Sequence, residues 1–149
     1  MVVIQIKFLL AKYILQFLCY NLTIKLGGEK MATITLQNIY DCYDYGKRIA
    51  NEEIDIGGAT LKLSKTGMNS DSAKIYLRCV RSLIKGERYT GTVNELALSH
   101  FLTAITTDFG FAGLAIALSS VKMHLEYQNR YQNLVNIKRI YDEFIEILP

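Results

Sequence analysis

A row of basic side chains between positions 74 and 88 is the group of residues best suited to a chemical role. Its members are spaced four, three, four and three positions apart: Lys74, Arg78, Arg81, Lys85 and Arg88. That spacing places them on one face of a helix, away from its apolar side. A row of cations attracts the phosphate backbone of nucleic acid. We predict that these five residues neutralise DNA phosphates. Lys62 and Lys65 assist from just upstream, and Tyr89 stacks on a base.

The charge distribution allows a second interpretation of this basic row. Residues 62–88 contain seven basic and two acidic residues, a local charge of +5, in a chain whose net charge is +3. The alternative is a solvated helix face that acidic residues elsewhere in the fold balance. Candidates for that balance precede the row: Asp41, Asp44, Glu52, Glu53 and Asp55.

No catalytic centre is recognisable in the sequence. His100 and His124 each lie within a predicted helix, and neither has a second His or Cys at the spacing of metal ligands. The motifs of P-loop NTPases, zinc proteases and α/β-hydrolases are not present, and Asp108-Phe109-Gly110 matches a kinase triplet by letters only. We therefore predict no catalytic residues, no metal and no cofactor. A site assembled from distant carboxylates is the remaining enzymatic alternative.

Length and composition suit one globular domain. The chain has 149 residues, of which half are apolar and 21% are charged, and its one proline is Pro149. The three cysteines, Cys19, Cys42 and Cys79, are widely spaced and odd in number. This pattern argues against a disulfide framework or a structural zinc site, and it favours reduced thiols in the cytoplasm.

The first thirty residues form an apolar leader that fits no targeting signal well. Its longest stretch without charge, from Tyr13 to Ile24, is twelve residues, whereas a membrane span needs about 20. Residues 27–30 read Gly-Gly-Glu-Lys and stand directly before Met31. Back-translated, they match a purine-rich bacterial ribosome-binding sequence. We expect residues 1–30 to be translated upstream sequence and Met31 to be the initiator, with no membrane association. The alternatives are a membrane-surface helix or a divergent signal anchor.

The sequence predicts that these residues are positioned by an all-α bundle of about five helices, in a single domain that spans residues 31–149. Apolar spacing predicts helices over about 35–50, 70–85, 94–108, 111–130 and 134–148. Asn69 begins the second of these, Thr92 or Asn94 begins the third, and Gly86 and Gly110 are breaks. Alternating residues around Gly57-Gly58 predict a short β-hairpin near 53–63, with an extended loop as the alternative.

Much of this stretch resembles a known helical module. The similar elements are residues 72–76 opening a helix, Gly86-Glu87-Arg88-Tyr89 closing it, His100-Phe101-Leu102, and His124-Leu125-Glu126-Tyr127. Over residues 60–148 the chain resembles the module that precedes HNH nuclease modules in bacterial restriction-type proteins. No HNH motif is present in this chain, so the resemblance implies an accessory role in restriction-modification, without cleavage.

Together these features predict a non-catalytic, cytoplasmic domain that associates with DNA and is accessory to an HNH-type nuclease. It is either a stand-alone relative or a fragment of such an enzyme. The alternative is a protein-interaction or homo-oligomerisation module that uses the apolar stripe of the last helix: Leu134, Ile137, Tyr141, Phe144 and Leu148.

Overall fold

The computed structural model describes residues 4–5, 7–12, 14–15, 18–19, 34–130 and 133–149. Within residues 34–130 and 133–149 it contains five helices: α1 (Leu36–Ala50), α2 (Ile56–Lys65), α3 (Ser70–Lys85), α4 (Glu95–Gln128) and α5 (Val135–Ile145). The described residues between 4 and 19 are also helical, and Lys12 of this segment pairs with Glu143 of α5 at 3.3 Å. No strand occurs in the described ranges. The predicted all-α bundle is confirmed.

The position of the initiator lies outside the described residues, because Met31 and residues 20–30 are among those that the structure leaves out.

Helix α3 lies at the centre of the bundle and contacts α1, α2 and α4. Asn69 caps it as predicted, accepting from the backbone N–H groups of Asp71 and Ser72. Gly86 ends it in the left-handed region, at φ +72°. Apolar side chains over about 160° of the circumference of α3 are buried, at about 100° per residue: Ala73, Tyr76, Leu77, Cys79, Val80 and Leu83. The opposite side of the helix faces solvent.

The predicted β-hairpin near 53–63 is wrong, because this segment forms α2. The Asp55 carboxylate accepts the Gly58 N–H at 2.7 Å and caps the helix. Both glycines fall in the first turn, where helical hydrogen bonds are not yet required. Ala59 and Leu63 are four positions apart and fully buried. Burial at a helical spacing has outweighed the local alternation of residues.

The long helix α4 bends at Gly110, whose φ of 71° and ψ of −167° are not helical. Such a backbone conformation is open essentially only to glycine. The predicted helix break at Gly110 is therefore confirmed, and Asn94 rather than Thr92 provides the cap. Helix α4 packs against both α3 and α5, and α5 buries Ile137, Ile140 and Phe144.

By length and composition α4 could span a membrane, since its most apolar window has a mean hydropathy of 1.6. A core helix has the same properties, and in this fold the N-terminal half of α4 buries Phe101, Leu102 and Ile105.

Candidate nucleic-acid interface

The solvent-facing strip of α3 consists of cations. At about 100° per residue, Lys74, Arg78, Arg81 and Lys85 fall within an arc of about 60°. Lys74, Arg78 and Lys85 are exposed, and Arg81 is half-buried. We call these four residues the basic strip. The strip is about 16 Å long from first to last Cα, at 1.5 Å per residue.

Most of the basic strip has no carboxylate partner among the residues that the structure describes. In the part of the chain that the structure describes, neither Lys74, Arg78 nor Lys85 has a carboxylate oxygen within 4 Å. Arg81 pairs with Glu87 at 2.8 Å, and both of those side chains remain partly exposed. A partly exposed pair of this kind stabilises a fold by only about 0–1 kcal/mol, so its partners can be exchanged at little cost.

Three of the acidic residues that could balance the strip are bound elsewhere. Glu53 pairs with Arg48 at 3.6 Å, Asp55 caps α2, and Asp41 accepts from Gln37 at 2.9 Å. None of these contacts involves α3, and no ion pair joins residues 41–55 to the basic strip.

A cleft of about 520 Å³ opens beside the basic strip, between α3 and residues 86–94, which we call the connecting loop. Arg78 and Arg81 reach it from α3, and Arg88 reaches it from the loop. The residues that line it are Ile75, Arg78, Arg81, Ser82, Glu87, Arg88, Tyr89, Thr90 and Gly91. We call it the arginine cleft. Lys74 and Lys85 share the strip but do not line the cleft.

Two glycines allow the connecting loop to lie close to its neighbours. A Cβ on Gly86 would meet the Ile116 side chain at 2.9 Å, and Gly86 also has a positive φ that other residues avoid. A Cβ on Gly91 would meet Ile75 of α3 at 2.7 Å. The loop backbone therefore rests directly on α3 at one glycine and on α4 at the other.

Three polar side chains on α4, four positions apart, hold the backbone of the connecting loop. We call Ser120, His124 and Gln128 the polar row. Ser120 Oγ donates to the Glu87 carbonyl, His124 Nδ1 lies 2.8 Å from the Tyr89 carbonyl, and Gln128 Nε2 donates to the Thr90 carbonyl at 2.6 Å. The bond to the Tyr89 carbonyl is buried, and the loss of a buried hydrogen bond costs about 1–3 kcal/mol. The row fixes the loop that carries Arg88.

The other nitrogen of His124 is also occupied, since Nε2 lies 3.0 Å from Thr92 Oγ1. With Nδ1 donating to a carbonyl, Nε2 of a neutral ring accepts from the hydroxyl. Burial lowers the pKa of His124, while its bond to the Tyr89 carbonyl raises it, and the net shift is downward. His124 is therefore a neutral structural residue, and no group of three or more metal-ligating side chains occurs among the described residues.

The predicted role of Tyr89 in stacking on a base does not fit its surroundings. Its side chain is only 5% exposed. One face of the ring already stacks on His124 at 4.2 Å, with 12° between the planes. Its hydroxyl bonds to the buried Cys79 thiol, and burial raises the pKa of both groups. Tyr89 thus forms part of the cleft wall, and its buried ring has no free face on which a base could stack.

Lys62 and Lys65 lie on α2, apart from the basic strip. Both are exposed, and the Nζ atom of Lys62 lies 5.9 Å from the centre of the Tyr45 ring on α1. Neither lysine lines the arginine cleft. The structure gathers Arg78, Arg81 and Arg88, extends them with Lys74 and Lys85, and leaves these two lysines on another helix.

The polar row escaped the sequence analysis. A signal is present in the sequence, since Ser120, His124 and Gln128 recur every four positions on one face of the helix. Glu87 is not among the predicted site residues, although it lines the cleft and pairs with Arg81.

The stripe of the last helix, proposed above as a docking surface, is used within the chain. Ile137 and Phe144 are buried, and Leu134, Tyr141 and Leu148 pack partly buried against the core. Ile137 and Phe144 are therefore not available for a partner, and the other three residues of the stripe are partly exposed.

No protein-family model, no curated protein and no solved structure matches this chain.

Proposed function

We propose that this chain is a non-catalytic helical domain that binds DNA through the basic strip of α3 and Arg88. The observation that carries the proposal is that Lys74, Arg78 and Lys85 are exposed on one face and, in the described part of the chain, have no carboxylate partner. Uncompensated cations in a row suit a phosphate backbone, whose negative charges recur at short intervals.

The binding that this surface supports is largely independent of base sequence. Lysine and arginine contacts to phosphate fix position but carry no base information. Tyr89, the one aromatic residue predicted to reach a base, is buried. Affinity should therefore depend on salt more than on sequence.

The finer proposal, that the domain is accessory to an HNH-type restriction nuclease in the cytoplasm, rests on the resemblance of residues 60–148 alone. In that role the strip would help to hold DNA while a separate module cuts it. Homo-oligomerisation is the competing function, and it predicts a mass that rises with concentration without any affinity for DNA.

The test is binding of a 20-base-pair DNA duplex by the parent chain and by the variant R78A/R81A/K85A. We expect the variant to lose on the order of 100-fold in affinity at low salt, because contacts to charged groups contribute about 1.5–3 kcal/mol each and do not add fully. The matched control is K47A/R48A, which removes two cations of α1 that already have partners, and its affinity should stay close to that of the parent. Equal affinity of R78A/R81A/K85A and the parent, or no binding by the parent, would refute the proposal.

A further inference from the structure

We propose that the arginine cleft binds a phosphate monoester of a nucleotide, above all the terminal phosphate of a DNA strand. The inference rests on the proposed function and deepens it. The basic strip follows the backbone, and the cleft beside it recognises the end of the strand.

The first argument is that three arginine residues line one cleft. Arg78 and Arg81 come from successive turns of α3, and Arg88 comes from the connecting loop. A row of cations spreads its charge along a polymer, whereas cations that enclose one cleft concentrate their charge on one group. Guanidinium groups also match the oxygens of a phosphate in paired hydrogen bonds.

The second argument is the balance of charge inside the cleft. Glu87 also lines it, and its carboxylate is occupied by Arg81 at 2.8 Å. Arg78 and Arg88 have no carboxylate partner among the described residues, and Arg88 lies over the Tyr127 ring at 4.8 Å. The positive charges of Arg78 and Arg88 in the cleft are therefore not balanced by a carboxylate of the described residues. A phosphate monoester carries about −1.5 to −2 at neutral pH, whereas each internal diester of a strand carries about −1. The cleft matches the monoester better.

The third argument is that the cleft is already shaped in the free chain. The polar row holds the carbonyls of the connecting loop, and Gly91 seats the loop against Ile75. A site whose backbone is fixed before binding loses less conformational entropy when the ligand arrives. Only the side chains of Arg78 and Arg88 need to be ordered.

The fourth argument is size. A volume of about 520 Å³ exceeds the needs of a phosphate group alone and falls within the usual range of small-molecule sites, about 300–1,000 Å³. Ile75 and Gly91 form a part of the cleft lining that has no polar side chain. The sugar of the terminal nucleotide has room beside the phosphate.

The test compares single-stranded DNA 12-mers of one sequence that carry a 5′-phosphate, a 3′-phosphate or hydroxyls at both ends. The parent chain should bind at least one phosphorylated 12-mer about tenfold more tightly than the hydroxyl form, by roughly one added charge-assisted contact. R78Q and R88Q should remove this preference. K74Q and K85Q, on the strip but outside the cleft, should weaken all three 12-mers alike and keep the preference. E87Q should increase it, because Arg81 is released to the ligand.

Competition separates a strand end from a free nucleotide as the source of the phosphate. If dAMP displaces the phosphorylated 12-mer but deoxyadenosine does not, the cleft recognises the monoester itself. Binding of dAMP without any preference for phosphorylated ends would assign the cleft to free nucleotides.

Equal affinity for all three 12-mers, together with no binding of dAMP, would overturn the inference. The proposed function would still stand in that case if R78A/R81A/K85A lost duplex binding. Thermal unfolding of each variant checks that the fold is intact.

Discussion

Helices α1 and α3 both carry cations on their surfaces, but the fold treats the two sets differently. On α1, Lys47 pairs with Asp108 at 3.1 Å and Arg48 pairs with Glu53 at 3.6 Å. On α3, Arg81 is the only cation with a carboxylate partner among the described residues. Two helices of similar amphipathic pattern thus differ in how much of their charge is available to a partner. Part of the difference is in composition, since α1 contains two cations and two carboxylates, whereas α3 contains four cations and one carboxylate. The Lys47–Asp108 pair adds a tertiary contact that the sequence of α1 alone does not show.

The Asp108 contact shows how α1 is neutralised. This carboxylate accepts from both the Tyr43 hydroxyl, at 2.7 Å, and Lys47. Burial by itself would raise the pKa of Asp108, but the two hydrogen bonds outweigh burial and lower it. Because Asp108 lies on α4 just before the bend at Gly110, the pairing depends on where the chain folds back.

The largest effect is expected from placing a carboxylate within the basic strip of α3. Arg81→Glu removes one cation and places a carboxylate three positions from Arg78 and four from Lys85, the spacings at which helix side chains pair. We expect DNA affinity to fall on the order of 100-fold, measured by fluorescence anisotropy.

Arg48→Glu is the matched control, because it changes the net charge by the same amount on α1. Its affinity should remain within about threefold of the parent, by long-range electrostatics alone. If both substitutions weaken DNA binding equally, affinity depends on the net charge of the chain. The difference between α1 and α3 would then have no effect on DNA binding.

The next effect concerns the loop that carries Arg88. Gly86→Ala forces a side chain into a left-handed conformation, which costs about 1–2 kcal/mol, and its Cβ would meet Ile116 at 2.9 Å. We expect a lower free energy of unfolding, measured by urea denaturation.

Gly57→Ala is the control for that substitution. Gly57 lies in the first turn of α2, where the nearest atom to a new Cβ is Asp55 Oδ1 at 3.9 Å. Alanine there should be neutral or stabilising by up to about 1 kcal/mol. An unchanged stability of Gly86→Ala would mean that the loop does not need its observed conformation.

How far the sequence could predict these regions follows from the same residues. Asn69, Gly86 and the spacing of the α3 cations are local signals, and the helix and its basic face were predicted from them. Helix α2 was missed because its stability comes from the burial of Ala59 and Leu63 against neighbouring helices. The cleft was missed because the polar row binds backbone carbonyls, and a carbonyl has no signature in residue type.

The smallest effect is a dependence of stability on pH. Burial lowers the pKa of both His100 and His124 below the ordinary value of 6.5, although Asp44 partly offsets this at His100. The unfolded chain then binds more protons than the folded one at mildly acidic pH, so the free energy of unfolding should fall as pH drops from about 7 to 5. The histidine contribution to this fall in the free energy of unfolding ends once both rings are protonated in the folded state.

Urea midpoints at pH 8, 7, 6 and 5 would measure this dependence. His124→Gln should show a shallower decline than the parent, because one of the two titrating groups is gone. A midpoint that rises on acidification would contradict the assignment of neutral, buried histidines.

The central claim is that the cations of α3 contact phosphate, and the salt dependence of DNA binding tests it most directly. The logarithm of the affinity should fall linearly with the logarithm of salt concentration, with a slope of about −0.9 per phosphate contacted. For R78A/R81A/K85A the account predicts a slope smaller in magnitude by about three, since each lost contact removes about one. An identical slope for the parent and the variant would contradict it.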